Sequence, residues 1–413
     1  MGWLRREARA VAGGLPATFW WLWLGTLVNA LASFVVPFLA LFLVRRGFSP
    51  AAAGLLVGMA GAGTIVAGPV GGVLADRVGR RATVLLSLLC TAATTAALAF
   101  APGAASAAAL VAVLGLGANL YRPAAMALVA DVVPQADRAR AFGLNYWAVN
   151  LGFAVSLVLG GTIAERSFTG LFLADAATTL LFAAVVFGKV PETRPAEAAA
   201  GREPVLRGLA EVARDGVFAV FLVLHVLYAS TLLQFFAAAP IDMQAHGVGP
   251  AAFGRVLAVN GIVIALLQPL APRLTARLDP GRVLAAAALL TGAGYGLFAV
   301  FREPILYALA VAILTLGEIA HSPTATALVA HLSPAARRGQ YQGAYSMGWG
   351  IAFALGPALG SLVLDRLGGT VLWIGCAVLG VATAAGQLAA APARRRRLAA
   401  QGAAAPASGP AVP

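Results

Sequence analysis

The sequence predicts an all-α membrane protein with twelve transmembrane helices arranged as two parallel six-helix repeats. Three observations predict this fold class: a composition that water cannot solvate, a series of long apolar runs, and a similarity between the two halves. Of the 413 residues, 60% are hydrophobic and only 11% are charged, and the mean hydropathy is +0.86. A soluble domain carries roughly a quarter charged residues. The chain must therefore be solvated mostly by lipid.

The apolar runs have the length of membrane-crossing helices. A helix that crosses a hydrocarbon core of about 30 Å needs roughly 20 mainly apolar residues. The twelve runs cover residues 18–44, 51–74, 82–101, 105–130, 141–164, 169–190, 216–239, 251–271, 283–301, 305–330, 341–364 and 370–391. The first run is too long for the core of a signal peptide, so we expect it to be retained as the first transmembrane helix.

Polar segments divide the chain into four parts. The longest polar interruption, 191–215, is predicted to be a cytoplasmic linker between a six-helix half at 1–190 and a second six-helix half at 216–391. Residues 392–413 are rich first in arginine and then in small residues. Because this segment has too little apolar surface to fold, we expect a disordered cytoplasmic tail.

The net charge of +13 indicates topology rather than a charged partner. Nucleic-acid binding requires a clustered basic face with aromatic residues between the charges, whereas short basic groups here separate the apolar runs. With the N-terminus inside, the inner segments hold 22 of the 29 lysines and arginines and the outer segments hold 6. Cytoplasmic loops retain cations. We therefore expect a multi-pass plasma (inner) membrane protein with both termini cytoplasmic and no nucleic-acid partner.

The two halves match each other when the chain is shifted by 200 residues. The shift places glycine on glycine, proline on proline and arginine on arginine, as in Gly54 with Gly254, Gly61 with Gly261, Pro69 with Pro269, Arg77 with Arg277 and Pro134 with Pro334. Both copies begin on the same side of the membrane, so an axis along the membrane normal should relate them. Transporters built in this way hold their substrate between the halves, near the bilayer midplane.

The sequence carries no sign of an enzyme or a cofactor. Cys90 and Cys376 lie in apolar segments far apart, which indicates neither a disulfide framework nor a metal cluster. A phosphate-binding loop of the G-x-x-x-x-G-K-[ST] type is absent, as are a nucleophile elbow and a metal-ligand spacing. We expect no enzyme activity, no cofactor and no metal.

The connection between the second and third predicted helices contains a motif of one acid, two glycines and three arginines. These residues are Gly72, Asp76, Arg77, Gly79, Arg80 and Arg81. In a chain of twelve spans, this G-x-x-x-D-R-x-G-R-R pattern resembles motif A of the major facilitator superfamily, and the resemblance covers residues 15–392. Pro191-Glu192-Thr193 is similar to the common end of the sixth helix in that family. Arg122 in the fourth helix resembles the buried basic residue of its drug:proton antiporter branch.

The resemblance implies the major facilitator fold and a function in transport. The implied activity is secondary active transport, proton-coupled efflux of small organic or amphipathic compounds by alternating access, with protons and membrane lipid as further partners. It also implies a monomer, which is usual for this fold. In this family Asp76 would interact with the start of the eleventh helix near residues 340–341, and would hold the cytoplasmic side closed in the outward-facing state.

Ionisable residues inside the predicted helices are candidates for proton coupling. A charge at the bilayer centre costs about 2.5–3.5 kcal/mol on insertion scales, so such residues usually face a cavity or a partner. Glu318 and His321 are three positions apart and therefore share a helical face. They could load and release a proton, form a structural pair, or contact a cationic substrate directly. Asp175 is a third coupling candidate, with capping or pairing to Arg166 as the alternative.

Polar and aromatic residues within the helices are candidates for the substrate cavity. They are Asn29, Arg122, Asn145, Trp147, Asn150, His225, Tyr228 and Phe235. Together they predict an aromatic, weakly polar cavity that suits an amphipathic organic molecule. The alternative for each is an interhelical hydrogen bond or packing against lipid. Asp131 is expected to join a loop network with Arg138 and Arg140.

Two other functions remain open on the sequence alone. The same fold could take up or export a metabolite or a sugar, because fold does not determine substrate. The chain could also be a non-transporting membrane sensor or scaffold. In that case the intramembrane charges of Arg122 and Glu318 would be dispensable.

Overall fold

The computed structural model describes residues 14–193, 212, 214–268, 270, 275, 277–334 and 337–404, which are helical and contain no strand. The helices of the first half are α1 (Ala17–Leu31, continued by Val35–Arg45), α2 (Pro50–Arg77), α3 (Arg80–Ala99), α4 (Ala104–Val132), α5 (Arg138–Arg166) and α6 (Phe168–Lys189). Those of the second half are α7 (Gly216–Leu232, continued by Ala238–Ala245), α8 (Pro250–Leu267), α9 (Pro280–Leu297), α10 (Pro304–Leu332), α11 (Arg338–Leu367) and α12 (Gly369–Ala404).

The twelve-helix architecture is confirmed. In the described part of the chain, eleven of the helices are long and apolar enough to cross a membrane. The remaining one, α9, has 18 residues, and its arginine and glycines reduce its hydropathy. It packs between α10 and α12, which places it within the second half. Helices are expected here because lipid offers backbone N–H and C=O groups no partners, so each segment must satisfy its own.

The first helix of each half is interrupted at an equivalent place. Helix α1 stops at Leu31 and restarts at Val35, and α7 stops at Leu232 before a 3-10 turn at Leu233–Phe236. The two interruptions are about 200 residues apart, which is the spacing of the sequence repeat. The spans predicted at 18–44 and 216–239 are present, and the structure adds an interruption within each. Apolar composition does not reveal a local change in backbone hydrogen bonding.

The final helix continues beyond the predicted end of the folded chain. Helix α12 runs to Ala404, so the expectation that residues 392–413 are disordered is wrong for 392–404. Alanine and arginine favour helix, and the side chains of two arginines in this extension form hydrogen bonds with the rest of the protein. Arg394 is buried and donates to Gln387, while Arg397 donates to Asp215. Residues 405–413, and residues 194–211 of the linker, lie outside the described residues.

The helical bundle has two distinct ends. We call the end at which the even-numbered helices finish the linker end, because it carries the 191–215 connection, and the opposite end the far end. The two halves meet through α2 against α11 and α5 against α8. A Cβ added at Gly58 would lie 2.4 Å from the carbonyl oxygen of Ala354, and one at Gly254 would lie 2.1 Å from that of Leu157. These close approaches lie in the far-end halves of the helices.

The linker end of the same interface is open. Gly68 and Gly72 on α2 have no atom within 4 Å of an added Cβ, and neither do Gly143 on α5 and Gly343 on α11. The halves therefore touch at the far end and separate toward the linker end. The interface between the halves is thus open at the linker end.

Candidate functional site

A carboxylate from α10 stands in the middle of the second half, facing the first. Glu318 is half-buried, and its Oε2 accepts a hydrogen bond of 2.7 Å from Nδ2 of Asn260 on α8. The same amide nitrogen lies 3.0 Å from Oγ1 of Thr315. Tyr146 of α5, in the first half, lies within electrostatic range of Glu318. The carboxylate thus faces the interface between the halves with a neutral hydrogen-bond donor as its partner.

The expected structural pair of Glu318 with His321 is not observed. Among the described residues no hydrogen bond or ion pair joins their side chains. The ring of His321 instead stacks on that of Tyr228, with centroids 3.7 Å apart and planes 8° apart. Sharing a helical face brings two residues close along the axis, but the neighbouring helices decide where each side chain points.

Three of the predicted cavity residues lie in the core of the second half. His225, Tyr228 and Phe235 are at most 7% exposed, so in this conformation they lie in the packed core rather than on an open surface. Phe235 lies in the 3-10 turn after α7 and packs on Tyr295, 5.7 Å between ring centroids. The turn rotates it away from the face that it would share with the two others in a continuous helix.

The predicted residues on α5 lie at the open end of the bundle. Trp147 is 50% exposed and stacks on Trp23 of α1, with centroids 6.4 Å apart and planes 6° apart. Asn150 donates to the backbone oxygen of Tyr146, one turn earlier, at 2.8 Å. Asn145 is half-buried. The exposed indole, together with the exposed ring of Tyr146, offers an apolar surface on the first half.

Arg122 is exposed near the middle of α4. Its neighbour Tyr121 points into the first half, where its hydroxyl lies 2.9 Å from Oγ1 of Thr26. Adjacent positions of α4 therefore point in different directions, with Tyr121 directed into the half and Arg122 exposed. Arg122 in the first half and Glu318 in the second are thus intramembrane residues of opposite charge.

Asp175 holds the interruption of α1. Its Oδ2 accepts hydrogen bonds from the backbone nitrogens of Phe34 at 2.9 Å and Val35 at 3.1 Å. These nitrogens begin the second segment of α1, where a carboxylate also suits the helix dipole. The side chain of Asn29 accepts a bond of 3.0 Å from Thr179, one turn along α6. Asp175 and Asn29 are therefore occupied by contacts between α1 and α6, and Arg166 is not the partner of Asp175.

The arginine motif forms a network with the end of α6. Glu192 accepts backbone hydrogen bonds from Arg80 at 2.7 Å, Arg81 at 3.1 Å and Ala82 at 3.1 Å, and so caps the start of α3. Gly79 has a positive φ of 124°, and an added Cβ would lie 2.5 Å from the Glu192 carboxylate. Only glycine allows this turn and this approach.

Asp131 joins that network rather than the one predicted. It forms an ion pair with Arg80, and Thr193 donates to it at 2.7 Å. Arg138 instead donates to the backbone oxygen of Val133, and Arg140 pairs with Asp137. The prediction for Asp131 is therefore wrong in its partners. The acids that meet Arg80 come from helix ends that are distant in sequence.

Three further motif positions complete the linker end. Gly72 faces open space, Arg77 is exposed at the end of α2, and Arg81 donates to the backbone oxygen of Phe187. The side chain of Asp76 lies outside the described residues. The start of α11 has another partner, since the hydroxyl of Tyr341 donates to Asp215 at 2.6 Å.

The sequence does not predict two residues of the site, Asn260 and Tyr146. An asparagine inside an apolar helix is nevertheless a signal of an interhelical hydrogen bond. Within the described residues, no group of three or more His, Cys, Asp or Glu side chains could hold a metal ion. The side chains around the interface are a carboxylate on α10, an exposed cation on α4 and exposed aromatic rings on α5.

Comparison with known proteins identifies the group to which this architecture belongs. The sequence profile of the Major Facilitator Superfamily matches residues 22–241 and again residues 221–413. The uncharacterized MFS-type transporter YttB of Bacillus subtilis is 28% identical over 379 residues, which cover 88% of this chain and 93% of that protein. A Na(+), Li(+), K(+)/H(+) antiporter of Planococcus maritimus is 26% identical, covering 78% and 84%. The multidrug resistance protein MdtH of Klebsiella pneumoniae is 27% identical, covering 84% and 86%.

Solved structures show the same fold at low sequence identity. A peptide transporter POT in complex with sulfate has a TM-score of 0.79 at 19% identity, covering 94% of this chain and 96% of that one. A POT family transporter in complex with 5-aminolevulinic acid has a TM-score of 0.77 at 17% identity, covering 93% and 98%. At such identities the likeness extends to the fold alone.

Proposed function

Because the chain belongs to the Major Facilitator Superfamily, we propose that it is a proton-coupled secondary transporter that exports small amphipathic organic compounds by alternating access. In this proposal the linker end is cytoplasmic and the protein works as a monomer in the plasma membrane. The excess of cations in the segments at the linker end supports that orientation.

The observation that carries the proposal is the environment of Glu318. Its carboxylate lies inside a transmembrane helix and receives a hydrogen bond from the neutral amide of Asn260. A charged carboxylate at this depth is costly, so binding a proton and binding a cationic group compete for the same oxygen atoms. That competition is what couples substrate export to proton entry.

The packing between the halves supports alternating access. Small residues bring α2 against α11 and α5 against α8 at the far end, while the glycines of the linker end face open space. This conformation therefore admits a substrate from the linker end. Rocking of one half against the other would close that end and expose Glu318 to the far end.

The names of the relatives support the class of substrate and the coupling. One is a multidrug resistance protein and another an antiporter of alkali cations against protons. The rings of Trp147 and Tyr146 are exposed near the linker end of α5 and would suit an apolar molecule. Glu318 suits a positive charge on it.

Reconstitution into liposomes with an imposed pH gradient tests the proposal. The panel contains lipophilic cations, neutral drugs, sugars and alkali cations, and internal pH is followed with a trapped dye. We expect Glu318→Gln to lose gradient-driven transport at least about tenfold while it retains counterflow of the neutral drugs, which needs neither net proton movement nor a charge at this position. Glu303→Gln is the matched control, because Glu303 is exposed at the start of the same helix.

Three outcomes would contradict parts of this assignment. Full coupling in Glu318→Gln, at the same protein level as the control, would remove Glu318 from the proton pathway. Movement of sugars alone would favour the metabolite alternative. No movement of any panel compound would favour a narrower range of substrates or the sensor alternative. The sensor alternative requires the charges of Glu318 and Arg122 to be dispensable, so Glu318→Gln and Arg122→Gln should then have no effect on function.

A further inference from the structure

A chain of hydrogen bonds with a single direction ends on Glu318. The buried Thr315 donates from Oγ1 to the backbone oxygen of Val311 at 2.6 Å. A hydroxyl has one proton, so Thr315 can only accept from its other neighbour, Nδ2 of Asn260 at 3.0 Å. The second hydrogen of that amide then points to Oε2 of Glu318 at 2.7 Å. The amide of Asn260 is therefore held with its nitrogen toward α10.

This fixed amide makes the two carboxylate oxygens of Glu318 unequal. An amide N–H donates and cannot accept, so a proton placed on Oε2 would face another hydrogen. Oε1 has no hydrogen bond within the described part of the chain, and it is not one of the enclosed polar atoms there. Oε1 is therefore the oxygen that remains open to a proton or to a cation.

The other titratable groups near Glu318 leave this oxygen free. Tyr146 of α5, Tyr228 of α7 and Tyr295 of α9 lie within electrostatic range of the carboxylate, but a tyrosine hydroxyl is neutral at physiological pH. The ring of His321, one turn along α10, is stacked on Tyr228. Among the residues that the structure describes, no arginine or lysine is paired with Glu318. Asn260 is thus its one direct partner in that part of the chain.

The internal repeat shows that the contact between these two helices needs no polar side chains. At the shift of 200 residues, the three positions 260, 315 and 318 correspond to Ala60, Gly115 and Ala118. There α2 and α4 meet directly, because a Cβ added at Gly115 would lie 2.3 Å from the backbone oxygen of Ala60. The second half has an asparagine, a threonine and a glutamate where small residues suffice for packing. Packing alone therefore does not account for the three polar residues.

We propose that Asn260 and Thr315 are positioning residues that hold Glu318 so that the proton and the cationic group of the substrate compete for one atom, Oε1. This inference rests on the proposed function for the role of Glu318, and it adds the two residues that select the competing atom. When a proton binds, an O–H bond forms at Oε1 while Asn260 keeps its hydrogen bond to Oε2. When the substrate binds, that O–H bond breaks, the proton leaves to water in the open interface, and the cation takes its place.

Infrared difference spectra between low and high pH test the positioning without any transport. The protonated carboxyl of Glu318 gives a C=O stretching band, which is assigned by its loss in Glu318→Gln. The hydrogen bond from Asn260 to Oε2 lowers the frequency of this band. We expect Asn260→Leu and the isosteric Thr315→Val to shift the band to higher frequency, and Thr315→Ser to restore it. A band at the wild-type frequency in both of the first two variants, or no band that Glu318→Gln removes, would overturn the proposal.

Transport gives the second readout. Thr315→Val removes the acceptor that fixes the amide of Asn260, so we expect KM for a lipophilic cation to rise about three- to tenfold, and KM for a neutral drug to stay within about twofold. Thr315→Ser should restore the wild-type KM. Thr326→Val is the matched control, because the exposed Thr326 also donates to the carbonyl four residues earlier on α10. Equal KM values for the cation in Thr315→Val and the control would overturn the proposal.

The two readouts separate this inference from the proposed function. If wild type moves no compound in response to the pH gradient, the proposed function fails, and the infrared band still decides whether Asn260 and Thr315 fix the carboxyl of Glu318. If wild type couples fully but the band does not respond to either variant, the positioning role alone fails.

Discussion

Arg397 joins three helix ends in the second half, and its removal should destabilise that half. Its Nη1 donates to both carboxylate oxygens of Asp215, and its Nη2 donates to the backbone oxygen of Leu332 at 2.8 Å. Asp215 also accepts from the backbone nitrogen of Phe218 and from the hydroxyl of Tyr341. The side chain of Arg397 therefore links α12 to the start of α7 and the end of α10.

The size of the effect follows from these contacts. A hydrogen bond to a charged group contributes about 1.5–3 kcal/mol. The side chains of Arg397 and Asp215 are 21% and 13% exposed, so water screens part of the attraction. We expect Arg397→Ala to lower the free energy of unfolding by about 2 kcal/mol. For a six-helix half, this corresponds to a decrease in melting temperature of about 4–8 °C.

The two cysteines of the chain allow this to be measured in one half. Cys376 is buried in α12, whereas Cys90 lies in the first half. In a Cys90→Ala background, thermal unfolding followed with a thiol-reactive dye reports exposure of Cys376 alone. Arg396→Ala is the matched control, because Arg396 is exposed in the same turn. A melting temperature for Arg397→Ala within about 1 °C of the control would refute the reasoning.

The same contact predicts a pH dependence. Burial alone would raise the pKa of Asp215, but hydrogen bonds from Arg397 and Tyr341 outweigh it and hold the pKa below its usual value. A carboxylate with a lowered pKa stabilises the fold above its unfolded pKa of about 4, and this contribution disappears as pH falls through the folded value. The difference in melting temperature between Arg397→Ala and the control should therefore shrink below about pH 4.

Three further variants test other contacts. Glu192→Ala removes the cap of α3 and should cost about 1–2 kcal/mol in unfolding free energy, measured by thermal unfolding against Glu303→Ala; equal melting temperatures would contradict the capping role. Gly58→Leu should prevent closure of the far end, because its Cβ would lie 2.4 Å from a backbone oxygen. We expect transport to be lost while the protein keeps its normal abundance in the membrane. A cysteine substituted for the buried Ser361 should then become accessible to a thiol-reactive label, and an unlabelled cysteine would contradict the prediction. Asp175→Asn keeps one carbonyl to accept from α1 and should retain transport, whereas loss of coupling in a stably folded variant would instead support a proton role.

The sequence predicted the large-scale organisation of the protein because that organisation depends on local properties. Runs of about 20 apolar residues predict spans wherever lipid denies the backbone other partners. The repeat at a shift of 200 residues and the arginine motif indicated the family, and the profile match confirms it. The same locality explains why the sequence did not predict the interruptions of α1 and α7 or the helix at residues 392–404, because composition does not indicate capping or tertiary contacts.

Tertiary structure alone decided which polar side chains meet. Glu318 shares a helix with His321 but bonds to Asn260, 58 residues away, and Asp175 caps a segment of α1 140 residues earlier in the chain. These partners depend on the rotation of each helix about its axis and on which helices are neighbours. Neither is encoded in the spacing along one segment, because a helix of given sequence can present any face to the bundle. The packing of all twelve helices selects the face, and with it the residues that can exchange a proton or contact a substrate.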